Sequence, residues 1–325
     1  MSSANGGDAE DAARYNLLMI YNPNIIEPWD FELVATHVRE IAPDICTVLW
    51  KDGSTDWQRC PPAPGLPTMT FSPGPVRGRR PPRGAVFEGH SLRKSEEYAA
   101  LERGGVSVPR WALLTRTSAP DLTAFDRYVV VKPDIGGRGA DVKIKRKGRV
   151  RWSPPSTDLA KTMSGRDCDW VVQEFVYTGQ HPVSYRVTSL FGEPIWSWQI
   201  QADIRRRPLR HRFDFTGDHG GGMSIVSSGK GCVFSLVDDP DLAELARAAH
   251  RVFPDIPLIG VDIVRDADTG RLFVIEANAL GWTWHLSSPT GRAIQQQFGF
   301  DLDASFAVRR RAARILAEQV RQRAC

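Results

Sequence analysis

The segment Gly260-Val-Asp-Ile-Val-Arg-Asp-Ala-Asp-Thr-Gly-Arg-Leu-Phe-Val-Ile-Glu-Ala-Asn278 contains two apolar runs that carry acidic and amide side chains. Glu276 and Asn278 are two positions apart, so in a strand they project from the same face. Asp262 lies inside the preceding run and could reach the same point. Carboxylate and amide oxygens are the ligands that Mg²⁺ takes when phosphates and waters complete its shell. The pattern therefore predicts a metal site, although Asp262 alone also fits a strand-end acid and Asn278 a turn residue.

A second stretch, Tyr128-Val-Val-Val-Lys-Pro-Asp-Ile-Gly-Gly-Arg-Gly-Ala-Asp-Val142, leads from an apolar run through Lys132 into a glycine-rich loop. Gly136, Gly137 and Gly139 allow backbone N–H groups to converge on anionic oxygens, and Lys132 adds a positive charge, which fits the polyphosphate of ATP. The patterns G-x-x-x-x-G-K-[ST] and G-x-G-x-x-G before a helix are absent. Taken alone, the loop also fits a glycine hairpin with a surface lysine.

A third stretch, Trp170-Val-Val-Gln-Glu-Phe-Val176, is a predicted strand with an acidic residue near its end. Glu174 could meet an adenine while the neighbouring backbone supplies paired hydrogen bonds. This signal has little weight without the other two stretches.

Length and composition restrict the class of protein. The chain has 325 residues, 42% of them hydrophobic and 25% charged, which is typical of a soluble globular protein with two or three modest lobes. The net charge of +4 is too mild to require a nucleic-acid partner. Five cysteines without C-x-x-C spacing predict reduced thiols in a cytoplasmic protein. Apolar runs are far shorter than the roughly 20 residues that span a bilayer, so no membrane partner is expected.

Apolar runs and helical spacing predict a mixed succession of strands and helices. The predicted strands are Leu17–Tyr21, Ile45–Trp50, Thr68–Phe71, Trp111–Leu114, Val129–Val131, Val142–Ile144, Trp170–Phe175, Tyr185–Leu190, Ile195–Gln201, Leu258–Val264 and Leu272–Ile275, and the predicted helices are Asp30–Ile41, Leu92–Glu102, Asp241–Phe253 and Asp303–Gln322. This mixture indicates an α/β or α+β architecture. Residues 1–13 lack the basic start and apolar stretch of a secretory signal and are expected to form a disordered tail.

The three stretches together resemble the ATP-grasp superfamily, in particular its D-alanyl-D-alanine ligases, glutathione synthetases and ribosomal-protein glutamate ligases. The resemblance covers about Leu92 to Ser288. It implies an ATP-grasp fold in which two α+β lobes clasp ATP after a small α/β domain. The implied domains are residues 14–90 for the N-terminal domain with its Pro/Gly/Arg-rich loop, 91–172 for the small lobe, and 173–325 for the large lobe with the metal site and C-terminal helix.

The resemblance also assigns roles to individual residues. It implies ATP and Mg²⁺ as cofactors, with Mn²⁺ as a substitute, and a flap formed by the glycine loop. The implied ATP-binding residues are Lys94, Lys132, Gly136, Gly137, Gly139, Gln173, Glu174, Phe175 and Val176, and the implied metal ligands are Asp262, Glu276 and Asn278. Thr283, His285 and Ser287 follow the metal strand, where a substrate carboxylate could be held, although a loop histidine is more often a surface residue.

Some family features differ in this chain. Gln180-His181 stands where relatives commonly place an acid for the ribose, and Gly260 replaces an arginine that D-alanyl-D-alanine ligases carry before the metal aspartate. Arg186 is similar to an arginine of the glutamate ligases and is the expected replacement, with Lys132, for neutralising the transferred phosphate. The cluster from Arg205 to Arg212 could bind an anionic substrate or form a solvated face.

The resemblance implies an ATP-dependent carboxylate-amine or carboxylate-thiol ligase that works through an acyl phosphate and releases ADP and phosphate. Its partners would be a small-molecule or peptide carboxylate and an amine nucleophile, and relatives frequently form homo-oligomers. Two alternatives stay open. One is an ATP-grasp kinase that phosphorylates an anionic small molecule, and the other is a nucleotide-binding module without turnover.

Overall fold

The computed structural model describes residues 13–81, 83–137, 139–156, 168–205, 208–215 and 231–325. Most of the predicted tail, Arg206 and Arg207 of the arginine cluster, and the segment Gly220–Ser224 lie outside these residues. The described part contains three β-sheets with helices packed against them, which confirms the predicted α/β class. None of its helices is long and apolar enough to cross a membrane.

The N-terminal sheet is parallel and has the strand order β2-β1-β3-β4. Its strands are β1 (Tyr15–Tyr21), β2 (Ile45–Lys51), β3 (Thr68–Ser72) and β4 (Ala85–Glu88), and its helices are α1 (Pro28–Ile41) and α2 (Asp56–Arg59). The sequence did not predict β4, which follows the Pro/Gly/Arg-rich stretch. Because the strands are parallel, their carboxyl ends lie along one edge of the sheet.

The second sheet is antiparallel, with the strand order β5-β8-β6-β7, and follows helix α3. These elements are α3 (Lys94–Arg103), β5 (Trp111–Leu114), β6 (Tyr128–Pro133), β7 (Lys143–Arg146) and β8 (Trp170–Glu174), with a 3₁₀ turn at Lys147–Arg149. Asp134, just after β6, accepts a 2.8 Å hydrogen bond from the backbone N–H of Ser95. The carboxylate satisfies a free N–H of the first turn and thereby fixes where α3 begins.

The third sheet is also antiparallel, with the order β11-β10-β9-β12-β13. Its strands are β9 (Val183–Leu190), β10 (Glu193–Ala202), β11 (Cys232–Leu236), β12 (Leu258–Arg265) and β13 (Leu272–Asn278). The remaining helices are α4 (Pro240–Arg251), α5 (Pro289–Phe298), α6 (Leu302–Phe306) and α7 (Val308–Arg323), with a 3₁₀ turn at Gly281–Trp284. The predicted single helix Asp303–Gln322 is wrong, because Ala307 adopts φ = +50° and separates α6 from α7.

The N-terminal sheet and the third sheet share one hydrophobic core. Helix α7 buries Ala313, Leu316 and Val320 between them. Asp30 of α1 is fully buried and accepts a 2.6 Å hydrogen bond from the indole N–H of Trp284, and it also pairs with Arg309 of α7. These contacts fix the loop after β13 against the N-terminal domain.

Candidate active site

A row of charged side chains crosses the third sheet. Arg186 of β9 lies opposite Asp262 of β12, and Asp262 lies opposite Glu276 of β13. Residues directly opposite one another on neighbouring strands share a face, so the three side chains project together. The Nε and Nη2 atoms of Arg186 donate to Oδ1 and Oδ2 of Asp262 at 2.7 and 2.6 Å. This bidentate geometry holds the carboxylate in one orientation.

The next row explains the absence of an arginine at position 260. Gly260 lies opposite Asn278, and a Cβ placed on Gly260 would stand 2.7 Å from Cγ2 of Thr283 and 3.5 Å from Cδ of Arg186. Any side chain here would therefore displace Thr283. The guanidinium beside the acidic pair belongs to Arg186 on the neighbouring strand β9, and its expected role towards the transferred phosphate stays a prediction.

Lys94, at the start of α3, connects two of the predicted elements. Its Nζ donates to the carbonyl of Gly136 at 2.6 Å and pairs with Oε1 of Glu276 at 3.0 Å. A glycine at position 136 is required because its backbone has φ = +140°, a conformation that L side chains rarely adopt. The structure thus brings Lys94, the glycine loop and the acidic strand together, across long separations in sequence.

Lys132 is buried beside the same strand. Its Nζ donates to the hydroxyl of Tyr98 and to the carbonyl of Ile275, both at 2.8 Å, and it also lies 4.9 Å from the centre of the Tyr98 ring. The Tyr98 hydroxyl lies 2.7 Å from Oε1 of Gln173 and 2.7 Å from the carbonyl of Ile275. Burial lowers the pKa of Lys132 to about 8, with Lys94 acting in the same direction and Glu276 opposing it.

Glu97 and Tyr98 were not predicted from the sequence as site residues. Glu97 is 3% exposed and accepts a 2.6 Å hydrogen bond from the backbone N–H of Ala277. Burial, reinforced by the charge of Glu276, raises the pKa of Glu97 to about 8. A signal was available, because Lys94, Glu97, Tyr98 and Leu101 form the buried stripe of α3 at helical spacing. A lysine and a glutamate at core positions indicate a polar partner.

The two acidic residues of the predicted metal site have different electrostatic environments. Burial acts to raise the pKa of Glu276, but the charges of Lys94 and Lys132 outweigh it and the pKa is lowered. Burial raises the pKa of Asp262, with Arg186 opposing this effect. Nδ2 of Asn278 donates to Oδ2 of Asp262 at 3.0 Å. The amide and both carboxylates therefore lie at one place on the sheet.

This donor set fits a magnesium ion bound together with a phosphate. Within the described residues, no group of three His, Cys, Asp or Glu side chains could hold a metal alone. Asp262 and Glu276 supply two carboxylates, Asn278 an amide oxygen, and Mg²⁺ usually completes its shell with phosphate oxygens and waters. The side chains of Asp262 and Glu276 are 16% and 27% exposed, so both are partly accessible to solvent.

The predicted adenine segment follows strand β8. The backbone N–H of Glu174 donates to the carbonyl of Arg110 at 2.8 Å, and that of Phe175 donates to the carbonyl of Tyr128 at 3.4 Å. The Glu174 carboxylate accepts from the backbone N–H of Asp126 at 3.3 Å. Gln173 is joined to the lysine cluster through Tyr98, while the role of Glu174, Phe175 and Val176 towards an adenine stays a prediction.

The predicted substrate loop is held rigidly. The hydroxyl of Thr283 donates to the carbonyl of Asn278 at 3.1 Å, and Ser287 accepts a 3.1 Å hydrogen bond from the backbone N–H of Glu27. His285 is buried, with its ring centre 5.8 Å from that of Trp196 and 5.0 Å from that of Trp198. Burial, with the charge of Arg186, lowers the pKa of His285 to about 3, so the ring is neutral.

Arg205 and Arg212, the two outer members of the predicted substrate cluster, pair with nearby aspartates. Nε of Arg205 donates to Asp203 at 2.9 Å. Nη2 of Arg212 lies 2.6 Å from Asp268 and 3.2 Å from Asp266, and Nη1 lies 3.4 Å from Asp126. Arg212 thus connects the segment before β6 with the turn between β12 and β13. Substrate binding by these arginines stays a prediction.

Comparison with solved structures finds ligases over nearly the whole chain. The model matches D-cycloserine synthetase DcsG with 18% identity and a TM-score of 0.48, covering 94% of this chain and 99% of that one. It matches D-alanine–D-alanine ligase from Bacillus anthracis with 14% identity and a TM-score of 0.47 at the same coverage. It matches the ATP-grasp ligase PsnB complexed with minimal precursor with 15% identity and a TM-score of 0.43, covering 93% and 99% of the two chains.

No protein-family model matches the chain, and no curated protein matches it by sequence. The resemblance to ATP-grasp ligases stated from the sequence is found again among the solved structures.

Proposed function

We propose that this chain is an ATP-dependent ligase that activates a carboxylate as an acyl phosphate and transfers the acyl group to an amine or thiol. The single observation that carries the proposal is the convergence of Lys94, Lys132 and Arg186 on the pair formed by Asp262 and Glu276. Lys94 pairs with Glu276 and contacts the glycine loop, Lys132 lies beside Ile275 of the same strand, and Arg186 pairs with Asp262. This arrangement suits the phosphates of Mg-ATP.

The proposed reaction needs no side-chain nucleophile. A substrate carboxylate attacks the γ-phosphorus of ATP and releases ADP, and an amine then attacks the acyl carbon and releases phosphate. Asp262, Glu276 and Asn278 would hold Mg²⁺, with Mn²⁺ as a substitute, and the bound metal would neutralise phosphate charge. Lys94, Lys132 and Arg186 orient the phosphates and stabilise negative charge, so catalysis depends on positioning and electrostatics.

The ion pairs in the structure indicate how nucleotide and metal binding would be linked. A phosphate that approaches Arg186 or Lys94 competes with Asp262 or Glu276 for the same cation. A carboxylate that gives up its cation becomes available to a metal. We therefore expect an ATP analogue to bind more tightly in the presence of Mg²⁺ than in its absence, as measured by calorimetry.

The decisive experiment incubates the full chain with Mg-ATP and pools of amino acids, dipeptides and acidic peptides. Phosphate release is measured and new products are identified by mass. A product joined by an amide or thioester, formed together with ADP and phosphate, is the expected result.

Two other outcomes would reject ligase activity. A stable phosphorylated product with ADP and without free phosphate would identify a kinase. Nucleotide binding without turnover for any pool, including larger acceptors, would favour a nucleotide-binding module.

A further inference from the structure

Strand β13 carries one extra residue just before the proposed metal ligands. Asp262 of β12 lies opposite Glu276, whereas the next residue of β12 lies opposite Val274. Ile275 therefore has no partner on β12 and forms a β-bulge. Bulges bend a strand, change the direction of neighbouring side chains and are frequent next to active sites. The direction of the Glu276 side chain thus depends on how this bulge is held.

The bulge lies at an edge of the third sheet. β13 is the last strand in the order β11-β10-β9-β12-β13, so β12 is its only neighbouring strand in the part of the chain that the structure describes. Backbone N–H and C=O groups on the outer side of an edge strand have no partner within the sheet and need one elsewhere. At the bulge, helix α3 supplies these partners.

Two side chains of α3 contact the backbone on either side of Glu276. The hydroxyl of Tyr98 lies 2.7 Å from the carbonyl oxygen of Ile275. Oε1 of Glu97 accepts a 2.6 Å hydrogen bond from the backbone N–H of Ala277. Because Glu276 lies between these two contacts, the helix fixes the backbone before and after this proposed metal ligand.

Packing alone does not account for a carboxylate at position 97. Glu97 is 3% exposed, and the N–H of Ala277 is the one donor found for its carboxylate among the described residues. Burying a carboxylate costs free energy unless the group is paired and hydrogen-bonded. Leu101, one turn further along the buried stripe of α3, shows that an apolar side chain suits this face of the helix. The acid at position 97 therefore serves its contact with β13.

We propose that Glu97 is a positioning residue of the active site, which fixes the bulged end of β13 so that Glu276 and Asn278 face one metal ion. Ala277 stands between these two residues, so its hydrogen bond to Glu97 restrains both of them. Glu97 acts through the backbone of Ala277 and is not itself a ligand. The inference rests on the proposed function, because that reaction needs the metal.

The test compares three variants of Glu97 in the full chain. Glu97→Gln keeps an oxygen that can accept the N–H of Ala277 but removes the charge. Glu97→Asp keeps the charge but shortens the side chain by one methylene, and Glu97→Leu removes the acceptor. The matched control is Glu102→Leu, because Glu102 is exposed on the same helix. Thermal unfolding establishes which variants are folded.

The first readout is the gain in affinity that Mg²⁺ gives to the β,γ-imido analogue of ATP, measured by calorimetry with and without the metal. Glu97→Gln and the control should keep this gain within about threefold of the parent protein, whereas Glu97→Asp and Glu97→Leu should reduce it about tenfold. The affinity for the analogue without Mg²⁺ should change by less than about threefold in every variant, because both lysines remain. A residue with a purely structural role would lower the melting temperature without changing the gain.

Hydrogen exchange is a second readout and needs no ligand. The amide of Ala277 should exchange about tenfold faster or more in Glu97→Leu than in the parent protein, because its acceptor is lost. Glu97→Gln and Glu102→Leu should stay near the parent rate.

Equal gains from Mg²⁺ in Glu97→Leu and Glu97→Gln, or unchanged exchange at Ala277, would overturn the inference while the proposed function stands. If Glu97→Leu does not fold, Glu97→Asp decides in its place: a reduced gain supports the positioning role and an unchanged gain contradicts it. If the parent protein fails to bind the analogue, the proposed function fails, and exchange at Ala277 still shows whether Glu97 holds the strand.

Discussion

Two regions of this molecule pair arginines with aspartates, and the two are built differently. On the third sheet, Arg186 pairs with Asp262 at a fixed cross-strand register, with Glu276 in the same row. In the loop after β10, Arg212 is surrounded by three aspartates from two separate turns. The first region has an acidic group, Glu276, that also lies near Lys94 and Lys132, whereas the second region neutralises its own charge locally. Register on neighbouring strands, rather than a high density of arginines, indicates the candidate site.

The largest expected effect comes from exchanging one aspartate in each region. Asp262→Asn removes a proposed metal ligand and the bidentate partner of Arg186, so ATP-dependent turnover should fall by about 100- to 1,000-fold. Asp266→Asn, the matched change beside Arg212, should stay within about threefold of the parent protein. Phosphate release with an accepted substrate measures both. Equal losses in the two variants would contradict the distinction between the regions.

A second contrast compares a cation from each region. Lys132→Met keeps most of the side-chain length but removes a buried charge, so the affinity for an ATP analogue should fall by about 30-fold or more. Arg212→Gln should lower the melting temperature, because three aspartates lose their shared cation, and should change nucleotide affinity by less than about threefold. Calorimetry and thermal unfolding measure these effects. A loss of substrate binding in the Arg212→Gln variant would instead support the substrate-binding role that the sequence predicts for Arg212.

Two buried histidines should make the stability of the protein depend on pH. Burial lowers the pKa of His250 to about 4 and that of His285 to about 3, from an ordinary value of 6.5. Between pH 6.5 and these lowered pKa values, the two histidines bind protons in the unfolded chain but not in the folded one. Their contribution to the free energy of unfolding is therefore complete above pH 6.5 and decreases as the pH falls. Each histidine should contribute about 1.4 kcal/mol per pH unit in this window.

Denaturant unfolding at several pH values between 4.5 and 8 measures this dependence. His250→Gln should reduce the dependence of the free energy of unfolding on pH by the contribution of one histidine. The side chain of Gln can still meet Ser189 or the carbonyl of Ile256, the two partners of His250. An unchanged slope would show that His250 is not the source of the acid sensitivity.

The smallest expected effect concerns Tyr98, which connects the lysine cluster with the acidic strand. Tyr98→Phe keeps the stacking on Trp111, whose ring centre lies 5.5 Å away, and removes the hydroxyl that accepts from Lys132. The KM for ATP should rise about three- to tenfold, with kcat and the melting temperature nearly unchanged. A fall in melting temperature without a change in KM would assign Tyr98 to packing alone.

Much of the fold was readable from local patterns. The predicted strands from Leu17–Tyr21 to Leu272–Ile275 correspond to observed strands because short apolar runs mark strands that are buried in the sheets. The sequence did not predict α2, β4, β11 or α5. The prediction of one continuous helix over Asp303–Gln322 was wrong, because the spacing of apolar residues does not reveal that Ala307 adopts a left-handed backbone conformation.

The sequence by itself determined the chemical groups: a lysine before a glycine loop, and two carboxylates with an amide on a hairpin. Those assignments follow from residue type and short spacing. Only the tertiary structure decided that Lys94 meets Glu276, that Arg186 stands opposite Asp262, and that Glu97 and Tyr98 join α3 to β13. The physical reason is that these contacts join residues up to 182 positions apart, and such pairs are set by sheet register and helix packing rather than by local pattern.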